Sequence, residues 1–577
     1  MEIIKDHDII IIGGGAAGMR AAISAAESNP KASIAIISKV YPVRSHTVCA
    51  EGGIAAPLKE YDSIEQHCFD TIKGGDYLAD QDAVEFFVKK STEEILQLEK
   101  WGCLWSRLPD GSIAVRKFGG MSVARTVYAA DKTGFYIMHS LFERSLLYEN
   151  IKRYDEWFVT KLISNDAKIC GLTAIDMKNG KQVAFETGVV IMATGGAGRT
   201  YGHTTNSSIN TGDGMALALN AGAALKDMEM IQFHPTTLPN GNLLITEAAR
   251  GEGGWLVDKN NERFLKKYLP EKMELGPRDM VTRAIINEIN LGNAAAGPHG
   301  PYVDLDIRHL GDKTIKEKLP TVRDLCLQYL NLDPAKHKIP VTPAQHYFMG
   351  GIAADLNTET SLRGLLAAGE TACISIHGAN RMGSNSLAEC VVFGNQAGKT
   401  AAELITKHQN RNLPESQIND EEIRIHSLLN KSNTGNDAPA ENASRESITD
   451  IKTEMQKVMD IHAGIIREEK TLAAGLDKIK SLRDRAPNIK LNDKSLVFNT
   501  ELTSLIELDY MLTICETVFS SAIERKESRG SHFRSDYPNR NDADYLQHNL
   551  TMKSGHKLSL TKEPVKITNW QPAARAY

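Results

Sequence analysis

The chain has 577 residues, 42% hydrophobic and 24% charged, which suits a soluble globular protein of more than one domain with ample length for a large core. A formal net charge of −5 gives no basis for nucleic-acid binding. No apolar run approaches the ~18 residues that a bilayer span needs. A glycine turn stands near the amino terminus where a signal peptide would carry its hydrophobic stretch, so cytoplasmic residence is the expectation.

His7 to Ile12 reads as a short buried strand and Ala16 to Ala26 as a helix that ends before Asn29-Pro30. Between them lies Gly13-Gly14-Gly15-Ala16-Ala17-Gly18. In such a strand-to-helix turn Gly13 permits the tight bend, Gly15 lets backbone approach a pyrophosphate, and Gly18 lets helix and strand pack closely. The pyrophosphate then rests on the positive end of the helix. A second strand, Ser33 to Ile37, completes a dinucleotide-binding unit. The acid that usually receives the ribose is missing; Ser38-Lys39 stands there, which argues against an ordinary NAD site. Shortly afterwards comes Arg44-Ser45-His46-Thr47, which sets a histidine beside the expected cofactor path and points to a flavin tethered through His46.

Eight cysteines, at positions 49, 68, 103, 170, 326, 373, 390 and 515, are scattered with no C-x-x-C pair. They supply neither a zinc site nor an iron–sulfur ligand set, so any iron–sulfur relay belongs to another chain. Most read as small buried hydrophobes; Cys49, three residues past His46, has two readings, a place near the cofactor and simple packing, of which packing is favoured.

Val189 to Gly198 reads as a buried strand entering a second glycine turn. An insert with its own aromatic and proline content follows from about 233 to 345, and Gly364 to Glu370 returns to the nucleotide-binding core. From about 415 the periodicity is helical, broken by an Asn-, Ser- and Ala-rich stretch from Asn430 to Ser444 that reads as an exposed loop. Arg525-Lys526-Glu527-Ser528-Arg529-Gly530 reads as a solvated face, or else as a docking surface for a partner.

Taken together, these motifs resemble the flavoprotein subunit of succinate dehydrogenase and fumarate reductase, with the look of the quinol:fumarate reductases. The resemblance runs through Ser38 to Pro42, Arg44 to Thr47, Ala50 to Gly53, Thr211 to Gly214, Gln232 to Thr236, Thr246-Glu247, Arg250 to Gly253, Pro277 to Asp279, His346 to Gly351 and His377 to Arg381. It implies an α/β fold: a Rossmann-like FAD-binding domain (1–232 and 346–412) with an inserted α+β capping domain (233–345), a helical domain (413–530) and a C-terminal domain (531–577). It implies FAD joined through its 8α position to His46. The implied cofactor contacts are Gly13, Gly14, Gly15, Ala16, Ala17, Gly18, Ser38, Lys39, Ser45, Thr47, Glu51, Gly52, Gly53, Thr194, Gly195, Asp213, Glu370, Ser386 and Leu387.

The implied substrates, succinate and fumarate, are small dianions that need fixed positive charge and donors at both ends. Arg381 can grip a carboxylate bidentately, with His234, Thr246 and His346 adding donors. Arg278 is the implied proton donor, with Glu247 and Arg250 as its relay. A guanidinium is so weak an acid that this role requires Glu247 to return a proton almost as Arg278 gives one up. The resemblance further implies an iron–sulfur subunit, membrane-anchor subunits that handle quinone, and a peripheral position on the cytoplasmic face of the membrane. L-aspartate oxidase and a soluble fumarate reductase, both with noncovalent FAD, are the alternatives. His46 discriminates against the first, and the lack of a haem-binding C-x-x-C-H against the second.

Overall fold

The computed structural model describes residues 1–406, 413–430, 446–555 and 557–575. Residues 431–444, expected as an exposed loop, lie outside them.

The strand Ile9–Ile12 is four buried isoleucines, the signature of a parallel strand covered on both faces. It is the centre of a five-stranded parallel sheet in the order Leu365–Ala367, Val190–Met192, Ile9–Ile12, Ile34–Ser38, Ile151–Asp155. The helix Ala16–Ser28 leaves this sheet at the glycine turn. Gly13 has φ +112°, and a Cβ there would lie 2.1 Å from the carbonyl oxygen of Ala193. A Cβ on Gly18 would lie 1.9 Å from the carbonyl oxygen of Gly13, so helix and strand approach as the sequence predicts. The helix Asn385–Leu404 packs along Ala16–Ser28, and its Gly394 and Gly398 admit the backbone of Ala17 and Ala21.

A second hydrophobic core, including Leu238, Ile245, Leu256, Phe264, Ile285, Leu305 and Val341, stands apart from the main one. Its antiparallel sheet runs Ile231–Thr237, Ile339–Phe348, Val303–Asp306, Trp255–Val257. Phe118, Met121 and Met382 join this core from outside the 233–345 insert. Helices Glu415–Asn430, Ile448–His462, Glu469–Arg485 and Thr500–Glu524 follow, and then the ribbon Gln547–Ser554 with Lys557–Pro564. No helix among the described residues is long and apolar enough to cross a membrane.

Two expectations are corrected. In the 525–530 run, Arg525, Glu527 and Arg529 are at most 1% exposed, neither on a solvated face nor on a docking surface. The end of the Thr500–Glu524 helix delivers them into an interior network. Arg525 donates to Glu229 at 2.6 Å and Glu527 at 3.1 Å, and Arg529 donates to Glu527 at 2.7 Å and Asp542 at 2.8 Å. Each charge is interior because a counter-charge meets it there. Next to them, His548 bridges Asp227 (2.6 Å) and Asp80 (3.3 Å). The second correction concerns Cys49. It is exposed on the short turn His46–Cys49 and lines the cavity below, whereas Cys68, Cys103, Cys170, Cys326, Cys373 and Cys515 are buried.

Candidate active site

A cavity of about 750 Å³ lies where the two cores meet. Every residue assigned to the cofactor in the sequence analysis lines it except Gly18, which instead packs under Gly13. Gly14 abuts Ser38 and Pro42, while Gly15 faces Ser45 and Thr47. The Ala16 N–H donates to Thr47 Oγ1 at 3.2 Å, so the helix start and the His46 turn are joined directly. Lys39, in the place of the ribose acid, donates to Thr211 (3.0 Å), Asp213 (2.9 Å) and Glu507 (2.8 Å), which couples the helical region to the nucleotide end of the cavity. Sequence reading missed Glu507, because nothing local signals a partner 468 positions away.

These residues fit FAD. The His46 Nδ1 and Glu51 Oε2 atoms are buried and without a partner among the described residues, and both side chains line the cavity. Burial, with Arg199 nearby, pushes the His46 imidazole down to about 4, so it is neutral and keeps its lone pair. Burial, with Asp131 nearby, raises the Glu51 carboxyl well above the usual range against the pull of Arg116. Burial likewise raises Glu370 to about 8. A cofactor with unsatisfied donors and acceptors of its own is what such orphaned groups require.

At the other end the cavity is cationic. Arg278 opens the helix Arg278–Asn290, with Nε 2.8 Å and Nη2 2.7 Å from Glu247 Oε2. Glu247 Oε1 accepts the Gly119 N–H at 2.7 Å and lies 3.6 Å from Arg250 Nη2. Burial alone would raise the Glu247 carboxyl, but Arg278 and Arg250 hold it below its ordinary value, so it stays a carboxylate. Arg250 does not line the cavity; it stands behind Glu247 and donates to the Glu274 carbonyl at 2.5 Å. Arg381 projects from the loop before the Asn385–Leu404 helix. It is held by Ser386 Oγ at 3.1 Å and by the Tyr347 ring, 4.4 Å beneath its guanidinium.

His234 and His346 face each other across two paired strands, ring centroids 5.0 Å apart. The pairing skips His346: Gln232 opposes Tyr347 and Phe233 opposes Gln345. His346 is thus the extra residue of a bulge, a device that re-aims a side chain. Its Nδ1 is 2.8 Å from Thr205 Oγ1, while His234 Nδ1 lies 3.1 Å from the carbonyl oxygen and 3.2 Å from the N–H of Thr236. Burial together with Arg278 keeps both imidazoles neutral, well below their ordinary value. Thr246, which lines the cavity beside Glu247, completes the set. Thr205 and Tyr347 escaped sequence reading as supporting groups, though Tyr347 stands inside a motif already singled out.

The FAD binding domain family matches residues 8–387, and the fumarate reductase flavoprotein C-terminal family matches 452–577. A fumarate reductase flavoprotein subunit of Mycobacterium tuberculosis is 49% identical over 99% of both chains. The chain belongs to the succinate dehydrogenase and fumarate reductase flavoprotein family. A solved mutant Escherichia coli quinol fumarate reductase chain is 45% identical, with TM-score 0.96 over 100% of this chain and 99% of that one. A succinate dehydrogenase flavoprotein subunit of Rickettsia bellii is 39% identical over 99% of this chain and 97% of its own length. As a member of this family the chain is an FAD-binding oxidoreductase that interconverts succinate and fumarate. These relatives, fumarate reductase and succinate dehydrogenase subunits along their whole length, do not favour the aspartate oxidase or soluble fumarate reductase alternative.

Proposed function

We propose that Arg278 is the proton donor to fumarate and the acceptor from succinate, with Glu247 and Arg250 as its relay, and that Arg381, His234, His346 and Thr246 hold the two carboxylates. The observation that carries this reading is the double contact of Arg278 with Glu247 at the wall of a cavity whose other cations and imidazoles point to a dianion. FAD, when bound, supplies the hydride and electron-pair chemistry. Arg381 and the neutral imidazoles orient the dicarboxylate and meet the charge that grows on it. Arg278 passes a proton to the olefinic carbon, and a proton taken up from solvent and relayed by Arg250 across the Glu247 carboxylate, which is hydrogen-bonded to Arg278, restores it. The cap, residues 233–345 in this reading, closes over the substrate and excludes water.

In the same reading, residues 1–232 and 346–412 form the FAD-binding domain, with a helical domain at 413–530 and a C-terminal domain at 531–577. The flavin is joined covalently to His46, whose neutral ring retains the lone pair such a bond needs. Electrons pass to or from an iron–sulfur subunit, membrane-anchor subunits handle the quinone, and the chain sits peripherally on the cytoplasmic face. Higher identity to fumarate reductase subunits (45–49%) than to succinate dehydrogenase subunits (38–39%) supports fumarate reduction as the principal direction.

The test is expression with the iron–sulfur partner, then ultraviolet fluorescence of the acid-treated chain on a denaturing gel, with succinate-dependent dye reduction in parallel. A fluorescent band mapping to the His46 peptide, with dye reduction, is expected. A dark band with released FAD overturns the covalent link alone; no dye reduction overturns the catalytic assignment.

A further inference from the structure

We propose that Gln232 is a positioning residue that joins the proton-donating arginine to the carboxylate-gripping one and, as an amide, leaves Arg278 a single carboxylate partner. This rests on the proton-donor reading of Arg278. Gln232 is fully buried on the strand Ile231–Thr237, which belongs to the second core's sheet. Its Oε1 accepts from Arg278 Nη1 at 2.9 Å, and its Nε2 donates to the Arg381 carbonyl at 2.6 Å and to Asn380 Oδ1 at 3.0 Å. The partners fix the amide's orientation, because a guanidinium only donates and a carbonyl only accepts. Asn380 in turn donates to the Gly74 carbonyl at 3.1 Å, which fixes its own orientation. One side chain, set behind the cavity lining, therefore joins the Arg278 helix to the Arg381 loop.

The choice of an amide matters because of charge. Arg278 already meets Glu247 twice, and the groups around it are Arg250, Arg381, His234 and His346. A second carboxylate within 3 Å in a buried site would hold the guanidinium proton more firmly and oppose its release. An ionised carboxylate would also lose the donor that the Arg381 carbonyl accepts. A protonated carboxyl would restore both features: its O–H donates to the Arg381 carbonyl and its C=O accepts from Arg278.

The experiment uses the assembled holoenzyme with Gln232→Glu, Gln232→Met and Arg278→Lys. Fumarate-reduction kcat and KM are measured across pH, and malonate binding is read from flavin absorbance. Gln232→Glu is expected to lose about 10²-fold in kcat at alkaline pH, with KM and malonate binding nearly unchanged. Its kcat should recover as pH falls, a limb absent from wild type and from Gln232→Met. Gln232→Met should lose about tenfold in kcat at every pH. Wild-type kcat and pH profile in Gln232→Glu would overturn the inference, while a dead Arg278→Lys variant would leave the donor reading standing. Turnover retained in Arg278→Lys would remove the donor reading, and this inference with it. Should Gln232→Glu not retain FAD, Gln232→Met decides alone: an unchanged kcat overturns the inference, and a tenfold loss with malonate binding intact supports it.

Discussion

Arg278 takes its setting from three parts of the chain: Glu247 supplies charge, Gln232 an acceptor, and its helix a fixed position. Lysine at 278 would keep the charge but lose the planar fork that engages Glu247 and Gln232 together. Arg278→Lys is therefore expected to retain FAD while kcat falls about 10²–10⁴-fold, the range general acid catalysis commonly supplies; FAD content and steady-state turnover check both halves. At the flavin end, the proposed 8α link to His46 is expected to raise the flavin potential. His46→Ser is expected to keep FAD noncovalently and reduce fumarate but to fail in succinate oxidation, measured by paired assays in the two directions. Much of this scale was legible in the sequence, because Gly13 to Gly18, His46, His234, Glu247, Arg278, His346 and Arg381 stand in local motifs. The supports were not: the Thr205 bond to His346 spans 141 positions, and no spacing announces it.

At the scale of elements, the buried charges around the C-terminal ribbon are the clearest case of chemistry hidden from composition. Arg525 to Gly530 has the charge content of a surface, yet its counter-ions Asp227 and Glu229 come from a segment about 300 positions earlier. Removing one partner leaves interior charges unmatched, so Arg525→Met should cost about 3–5 kcal/mol in denaturant unfolding. Burial would lower His548, but Asp227 and Asp80 hold it up at about 9. A group raised in this way stabilises fully below its unfolded value of about 6.5, and the contribution is lost as pH rises through about 9. His548→Gln should therefore flatten the fall in thermal midpoint over that alkaline window, relative to wild type.

For the whole molecule, the cavity depends on how the two cores are held together. Asp131, on the flavin side, accepts both the N–H (2.7 Å) and the hydroxyl (2.9 Å) of Thr321, at the start of the helix Pro320–Leu325. Asp131→Ala should lower hydrogen-exchange protection in residues 320–325 while that of the Ile9–Ile12 sheet is unchanged. The two-core plan was readable from the change of composition near 233 and the return at 364, although Phe118, Met121 and Met382 join the second core from outside the insert. The ionic network has one more consequence, for the order in which the molecule is made. Asp279, next to Arg278, is gripped by Arg283 four positions on and by Arg575, and the Asp76 carboxylate accepts from the Gly530 N–H and from Arg540 across more than 450 positions. On a ribosome, the glycine turn and the His46 segment emerge hundreds of residues before these clamps exist. The nascent chain thus presents its glycine turn and His46 segment early, and Asp279, at the base of the Arg278 helix, is clamped by Arg575 only when the tail folds back.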